Sequence, residues 1–262
     1  MSTRLDMWLV QHGVFSGRDT AKRHIAAGEV QVNGQVVCRP ATPIGEQDTV
    51  TCDGGERYVG RGGYKLEKAL SVADIPLTGA VALDVGASTG GFTDCMLQNG
   101  AKTVYAVDVG HGQLHPKLRD DPAVVCLENT DIRAEDIGEK IPDSPTVCAI
   151  DVSFISLKQV MPSVLDLLSE DATIVCLIKP QFEAGRAALG KHGVVKDPAA
   201  HTEVLRDMCA AFLEWGCGAA HLTYSPIRGG EGNVEYLAVL KRRVSGAVFD
   251  IPALVREALS MS

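Results

Sequence analysis

Hydrophobic residues follow two different patterns along the chain, and the change falls near residue 65. In the first part, Leu5, Trp8 and Leu9 have the spacing of one helix face. Alternating residues Val30–Val32 lead into Asn33-Gly34, the typical turn of a β-hairpin. The predicted elements are helices near 5–9 and 18–27 and strands near 30–32, 36–37 and 49–51. They predict a small N-terminal α+β domain.

Beyond residue 65, short runs of β-branched and aliphatic residues alternate with segments of helical periodicity. Strands are expected near 80–85, 103–108, 123–127, 146–152, 172–178, 220–224 and 234–240, and helices near 91–99, 156–169 and 200–215. This alternation predicts an α/β fold, in which a seven-stranded, mostly parallel sheet carries helices on both faces. The glycine-rich stretch 53–64 separates the two patterns, so the predicted domains are 1–52 and 65–262 with a linker between them.

Composition narrows the function classes. The chain has 262 residues and a net charge of −8, with no apolar run long enough to span a membrane and no apolar signal core. Its eight cysteines form no Cys-x-x-Cys pair, which favours a reduced cytoplasmic protein with no metal site. Residues 1–65 hold eight Lys/Arg against seven Asp/Glu, whereas the rest holds 17 against 26. An acidic body suits a cationic cofactor, and RNA binding would need local basic patches.

A glycine-rich turn follows the first strand of the large domain. Gly86, Gly90 and Gly91 have the spacing Gly-x-x-x-Gly-Gly, which suits a cofactor without a pyrophosphate, such as S-adenosylmethionine. Asp108 ends the next strand, where a carboxylate commonly accepts hydrogen bonds from a ribose diol, and Asp131 is placed to face an adenine amine. The predicted cofactor-binding residues are Asp84, Gly86, Ser88, Gly90, Gly91, Phe92, Asp108, Asp131 and Asp151.

Two other classes of enzyme use a similar turn. Gly86 to Gly90 formally matches the Gly-x-Ser-x-Gly elbow of α/β-hydrolases, with Ser88 as nucleophile and Asp151 and His192 or His221 as partners. However, that elbow normally follows several strands, and this one follows the first. A dinucleotide-binding oxidoreductase is the second alternative, although Ser88 replaces the middle glycine of its motif.

Four charged residues stand beside predicted strands or helices where ordinary packing does not require them. Lys179 closes the apolar run 174–178, and Asp151 closes the run 147–150. Glu235 enters the last long strand, and Lys65 begins the helix before the first strand. Ion pairing at a sheet edge would explain any one pair; catalysis would explain all four.

The chain resembles the TlyA family of rRNA 2'-O-methyltransferases, whose catalytic domain is similar to that of FtsJ-type methyltransferases. The segments that carry the resemblance are 61–68, 84–94, 151–157, 179–185, 225–227 and 232–235. It implies a Rossmann-like class I methyltransferase fold and a catalytic tetrad of Lys65, Asp151, Lys179 and Glu235. It also implies S-adenosylmethionine as methyl donor and cytidine in 16S or 23S ribosomal RNA, or both, as acceptor. Lys179 is the candidate that assists removal of the hydroxyl proton.

Residues 4–34 resemble the RNA-binding domain named after ribosomal small-subunit protein S-four. The resemblance implies a basic helix face that contacts RNA phosphates. The linker carries further cations, as does the loop after Lys179, which is either a flexible lid over the RNA or a surface loop. The predicted RNA-binding residues are Arg4, Arg18, Lys22, Arg23, Arg61, Arg186 and Lys191. The expected partner is ribosomal RNA or a ribosomal subunit, not a membrane, bound by a monomer. A membrane-active haemolysin is the non-enzymatic alternative, since some members of the TlyA family carry that label.

Overall fold

A computed structural model describes residues 3–12, 14–15, 17–45, 47–52, 57–185, 188–230 and 232–261. The chain separates into two compact units, Met1–Arg61 and Gly62–Ser262. Across the described ranges, none of the helices has the length and apolar character needed to cross a membrane.

The N-terminal unit packs two helices against short strands. Its elements are β1 (Thr3–Arg4), α1 (Leu5–Gln11), α2 (Arg18–Ala26), β2 (Val30–Val32), β3 (Gln35–Val36), β4 (Pro43–Ile44) and β5 (Val50–Cys52). The order β3-β2-β5 is antiparallel throughout, and β1 pairs with β4. Asn33 and Gly34 both have positive φ, as a two-residue hairpin requires. The predicted hairpin is therefore present, whereas the two-residue strands β1 and β4 carry no periodicity by which to predict them.

The second unit contains a seven-stranded sheet. Its strands are β6 (Val81–Val85), β7 (Thr103–Val107), β8 (Val124–Leu127), β9 (Val147–Ile150), β10 (Thr173–Ile178), β11 (Cys217–Tyr224) and β12 (Tyr236–Arg242), in the order β11-β12-β10-β9-β6-β7-β8. The five strands from β10 to β8 run parallel, and β12 is antiparallel to both β10 and β11. This arrangement confirms the predicted mostly parallel sheet.

Helices cover the sheet. They are α3 (Gly62–Val72), α4 (Gly91–Gln98), α5 (Pro116–Arg119), α6 (Ile137–Lys140), α7 (Leu157–Leu167), α8 (Pro180–Glu183), α9 (Pro198–Glu214) and α10 (Ile251–Ser260), with a 3-10 turn at Lys191–Gly193. Helix α3 begins at Gly62, inside the predicted linker, and residues 53–56 of that linker lie outside the described part. The apolar strands β6, β9 and β10 are almost wholly buried between the helical layers.

The parallel register determines where the functional side chains meet. Leu83 of β6 lies between Tyr105 of β7 and Cys148 of β9, so these strands end at the same edge of the sheet. The segments that follow β6, β7, β9 and β10 therefore emerge side by side, which is where open α/β sheets bind ligands.

Candidate active site

The turn after β6 requires glycine at its first position. Gly86 has φ of +85°, and a Cβ built there would lie 2.5 Å from the carbonyl oxygen of Asp151. Any side chain would push the turn away from the end of β9. Because Gly86 has no side chain, the segments after β6 and β9 approach closely and form one continuous surface.

A cavity of about 440 Å³, the first cavity, opens at this edge of the sheet. Five of the nine predicted cofactor-binding residues line it: Gly86, Ser88, Asp108, Asp131 and Asp151. The wall also includes residues that sequence reasoning missed, among them Gln113, Thr130, Arg133, Ser153 and Phe154. Apart from their nearness to strand ends, the sequence holds no signal for these.

Asp108 and Asp131, two of the three carboxylates that line the first cavity, have defined hydrogen-bond partners. Asp108 accepts backbone N–H bonds from Ser88 at 2.8 Å and Gly110 at 2.7 Å, so it ties the glycine turn to the loop after β7. The guanidinium of Arg133 pairs with Asp131 at 2.6 Å, and its side-chain hydrogen bond is the main reason that the pKa of Asp131 is lowered. Asp131 Oδ1 already accepts both the backbone N–H and the Nε–H of Arg133. Asp131 Oδ2 and the two oxygens of Asp108 each accept one hydrogen bond, so both groups keep capacity for a polar ligand.

The other four predicted cofactor residues, Asp84, Gly90, Gly91 and Phe92, do not line the cavity. Gly90 faces Leu114 and Leu118, and Phe92 lies against Gly62, so both belong to the packing beneath the turn. The buried carboxylate of Asp84 instead accepts a hydrogen bond of 2.6 Å from the Thr93 hydroxyl, and its Oδ1 has no partner among the described residues. Burial raises the pKa of Asp84 to about 7, with the negative charge of Asp151 adding to the effect.

A second cavity of about 730 Å³ adjoins the first. The four residues of the predicted tetrad, Lys65, Asp151, Lys179 and Glu235, all line it. The two cavities share Gly86, Ser88, Asp151, Ser153 and Phe154. Asp151 therefore stands on the boundary, with one cavity on either side.

The tetrad forms a continuous chain of ion pairs. Lys65 Nζ lies 2.7 Å from Glu235 Oε2 and 3.2 Å from Asp151 Oδ2, and Lys179 Nζ lies 2.5 Å from Asp151 Oδ1. The four side chains come from α3, the end of β9, the end of β10 and the approach to β12. The structure thus brings together residues that are as much as 170 positions apart in the sequence.

Pairing keeps the charges of Lys65 and Asp151 despite burial. Burial opposes the ammonium of Lys65, but the carboxylates of Asp151 and Glu235 outweigh it, so the pKa of Lys65 is raised. Burial likewise opposes ionisation of Asp151, but Lys65 and Lys179 outweigh it and the pKa of Asp151 is lowered. Lys65 and Asp151 are therefore fixed opposite charges at neutral pH.

Two aromatic rings stand at the mouth of the site. Phe154 is 92% exposed, has φ of +65° and lines both cavities, and its ring centroid is 5.4 Å from that of Phe182. An exposed phenylalanine in a left-handed conformation is unusual, because both exposure and backbone strain are unfavourable. No pattern in the sequence predicts that exposure.

The loop predicted as either a lid or a surface segment lies partly against the second cavity, through Leu189, His192 and Gly193. It is anchored by Asn233, which accepts a hydrogen bond from the Val195 backbone at 3.1 Å and donates one to the Gly193 carbonyl at 3.2 Å. Two RNA-binding predictions fall here. Arg186 lies outside the described residues, as does the side chain of Lys191.

In the N-terminal unit, the buried carboxylate of Asp6 organises two of the predicted RNA-binding residues. Arg4 and Arg18 each lie 3.0 Å from it, and their side chains are about half exposed. Of the other two on α2, Lys22 pairs with Asp19 at 2.9 Å and Arg23 donates to the Thr20 hydroxyl at 3.2 Å. Arg61 ends this unit. The N-terminal unit therefore carries arginines that are fixed by ion pairs with a buried carboxylate and still reach solvent.

Comparison with known proteins agrees with both units. A model of FtsJ-like methyltransferases matches residues 58–242, and a model of the S4 domain matches residues 3–50. Hemolysin A of Brachyspira hyodysenteriae is 42% identical over 237 residues, which is 90% of this chain and 98% of the relative. The 16S/23S rRNA (cytidine-2'-O)-methyltransferase TlyA of Mycobacterium tuberculosis is 40% identical over 250 residues, 94% of this chain and 92% of the relative.

A solved structure of a hemolysin-named protein from Streptococcus thermophilus has a TM-score of 0.76 and 41% identity, covering 98% of this chain and 95% of that one. The fold, the paired cavities and the buried cluster define a methyltransferase that uses S-adenosylmethionine. The chain belongs to the FtsJ-like methyltransferase family and, within it, to the TlyA group, with an S4 domain preceding the catalytic fold.

The family assignment decides between the enzyme classes left open by the sequence. The hydrolase interpretation is wrong: the Ser88 hydroxyl donates to Gln113 Oε1 at 3.2 Å, and Asp151 is engaged by two lysines. The dinucleotide-oxidoreductase interpretation is wrong as well. The first cavity suits S-adenosylmethionine, because it combines two carboxylates for the polar groups of a nucleoside with a turn that has no room for a side chain.

Proposed function

We propose that this protein transfers the methyl group of S-adenosylmethionine to the ribose 2'-oxygen of a cytidine in 16S ribosomal RNA, 23S ribosomal RNA or both. The observation that carries the proposal is the position of Asp151 on the boundary between two cavities, bound to both lysines of the tetrad. One cavity suits the donor and the other has room for a nucleotide. The name of the Mycobacterium tuberculosis relative supports cytidine as the methylated nucleotide and both RNAs as substrates.

In the first cavity, Asp108 would hold the ribose of the cofactor and Asp131 its adenine amine, while the Gly86 turn leaves space beside the end of β9. When bound, S-adenosylmethionine supplies an electrophilic methyl group on a positively charged sulfur. Asp151, ionised at neutral pH, is placed to favour that charge at the boundary. Asp84, Gly90, Gly91 and Phe92 would act beneath the turn by supporting its shape.

In the second cavity, Lys179 would take the proton of the ribose hydroxyl as the oxygen attacks. A 2'-hydroxyl is a weak nucleophile at neutral pH, and a positioned base typically contributes about 10²- to 10⁴-fold in rate. Lys179 pairs with Asp151, a carboxylate that it shares with Lys65. Lys65 pairs with a second carboxylate as well, that of Glu235. Lys65 would therefore remain a cation and hold Asp151 and Glu235 in place, and alignment of oxygen and methyl would supply much of the remaining rate gain.

The N-terminal unit would bind the ribosomal RNA. Arg4 and Arg18 are held by Asp6 yet remain half exposed, which leaves guanidinium donors for phosphate oxygens. Lys22 and Arg23 extend the basic surface on α2, and Arg61, Arg186 and Lys191 would add contacts near the catalytic unit. We place the RNA-binding domain at 1–52, the linker at 53–64 and the catalytic domain at 65–262, in a monomer that works in the cytoplasm.

The test is a reaction of the purified protein with radiolabelled S-adenosylmethionine and separated small and large ribosomal subunits that lack the modification. We expect label in RNA of one or both subunits, and mapping should place it on the 2'-oxygen of a cytidine. Label on a base, or on protein alone, would contradict the proposal. A Lys179→Ala variant is the control, because it should bind the cofactor with near-normal affinity and transfer no methyl group.

A further inference from the structure

Among the described residues, the nitrogen of Lys179 has two polar side-chain partners of different chemistry. Its Nζ lies 2.5 Å from Asp151 Oδ1 and donates a hydrogen bond of 3.0 Å to the hydroxyl of Ser153. Lys65, by contrast, is held by two carboxylates. Lys179 is thus the tetrad lysine for which the structure records a neutral side-chain acceptor.

These two acceptors, Asp151 and Ser153, determine which way the third hydrogen or the lone pair of the Lys179 nitrogen points. A lysine nitrogen is tetrahedral, with one bond to Cε and three positions for hydrogens or a lone pair. If Asp151 and Ser153 each take one N–H, the third position keeps one direction in both protonation states. It carries a hydrogen in the ammonium and the lone pair in the neutral amine.

The Ser153 hydroxyl belongs to a segment that is tied to the helix after Lys179. Glu183 of α8 accepts a hydrogen bond of 2.6 Å from the Ser156 hydroxyl and one of 2.8 Å from the Leu157 backbone. The ring contact of Phe154 with Phe182 joins the same two segments. Ser153 and Lys179 are therefore held in register from both sides.

We propose that Ser153 is a positioning residue for methyl transfer: with Asp151 it turns the reactive position of the Lys179 nitrogen toward the acceptor oxygen in the second cavity. Ser153 lines both cavities, so like Asp151 it stands at the boundary between them. The inference rests on the proposed function, since it assigns Lys179 the role of proton acceptor. It concerns the direction of the base and needs no contact between Ser153 and the substrate.

The test compares Ser153→Ala with Ser153→Thr, which keeps a hydroxyl, in the methyl-transfer assay on ribosomal subunits. A hydrogen bond to a charged group that is lost at the reacting centre should lower kcat about 10- to 100-fold in the alanine variant. The threonine variant should retain most of the rate. KM for the subunits and Kd for S-adenosylmethionine, measured by calorimetry, should stay within about threefold in both variants.

Ser169→Ala is the matched control, because the Ser169 hydroxyl donates to Asp171 before β10 begins and lies outside both cavities. It should keep the normal kcat. An unimpaired alanine variant, or a threonine variant as slow as the alanine one, would overturn the role of Ser153 while leaving the proposed function intact. No methyl transfer by the unaltered protein would overturn both.

Discussion

The two units contain the same electrostatic motif with opposite exposure. In the N-terminal unit, the buried Asp6 binds Arg4 and Arg18, whose side chains are 47% and 52% exposed. In the catalytic unit, Asp151 binds Lys65 and Lys179, whose side chains are 10% and 8% exposed. In both places one carboxylate holds two cations, but only the arginines reach far into solvent.

The choice of cation fits the task that we propose for each site. Arginine keeps its charge at any physiological pH and offers several donors, so a half-exposed arginine held at its base suits a phosphate. Lysine in a buried site can exchange its proton with a substrate, which arginine cannot do. Under the proposed function, a shared carboxylate would thus serve RNA binding in one unit and proton transfer in the other.

Replacing Lys179 by the other cationic residue is the most direct test of this difference between the two sites. Lys179→Arg keeps a positive charge beside Asp151 but removes a group able to take a proton, so kcat should fall about 10²- to 10⁴-fold. The measurement is single-turnover methyl transfer, with calorimetry to show that cofactor affinity is kept. Arg18→Lys is the matched exchange in the other unit and should leave kcat unchanged. If Lys179→Arg were active at a normal rate, charge alone would explain the tetrad.

Asp84 extends the comparison, because it is a buried carboxylate that pairs with no cation among the described residues. The pKa of Asp6 is lowered to about 2, chiefly by the hydrogen bond from Arg4, whereas burial raises that of Asp84 to about 7. A raised pKa means that folding takes up a proton, so the charge of Asp84 destabilises the protein increasingly as pH rises from about 4 to about 7.

Asp84→Asn should remove that cost and keep an acceptor for the Thr93 hydroxyl. The variant should have the larger free energy of unfolding, and its advantage over the natural protein should be about 2 kcal/mol greater at pH 8 than at pH 5.5. Urea titrations at the two pH values, followed by a probe in the catalytic unit, measure the difference. A gain that is equal at both pH values would mean that Asp84 does not titrate in this range.

Two members of the predicted tetrad were conspicuous in the sequence because charged residues rarely close buried strands, whereas the grouping of all four came from the family resemblance. Lys179 and Asp151 each follow a run of apolar residues, and parallel strands bring such ends to one edge. The order of the strands and the reversed β12 were not deducible, since a strand's direction leaves no trace in its own composition. The Asn33-Gly34 hairpin was predictable because its backbone conformation excludes most other residues.

The part that sequence reasoning missed depends on which way side chains point. Asp84 is the last but one residue of β6, directly before Val85 at the edge of the first cavity, but its side chain turns inward to Thr93. Ser153 and Phe154 lie in a loop, where no periodicity indicates which residue faces a ligand. The packing of α3 and α4, which brings Gly62 against Phe92, likewise depends on contacts between distant segments. Motif membership therefore indicated a region of the fold but not the direction of each side chain in it.

The smallest expected effect lies in the N-terminal unit, where each cation would contribute one phosphate contact under the proposed function. Arg18→Ala should weaken binding to ribosomal RNA several-fold and reduce the slope of log affinity against log salt by about 1, because one fewer counterion is released. Fluorescence titrations of the full-length protein with labelled RNA at several salt concentrations measure both quantities. Lys158→Ala is the control in the catalytic unit, where the exposed Lys158 lines neither cavity, and its slope should be unchanged. If the two variants had equal slopes, the arginines on Asp6 would bind no phosphate, and the likeness between the two carboxylate clusters would be one of structure alone.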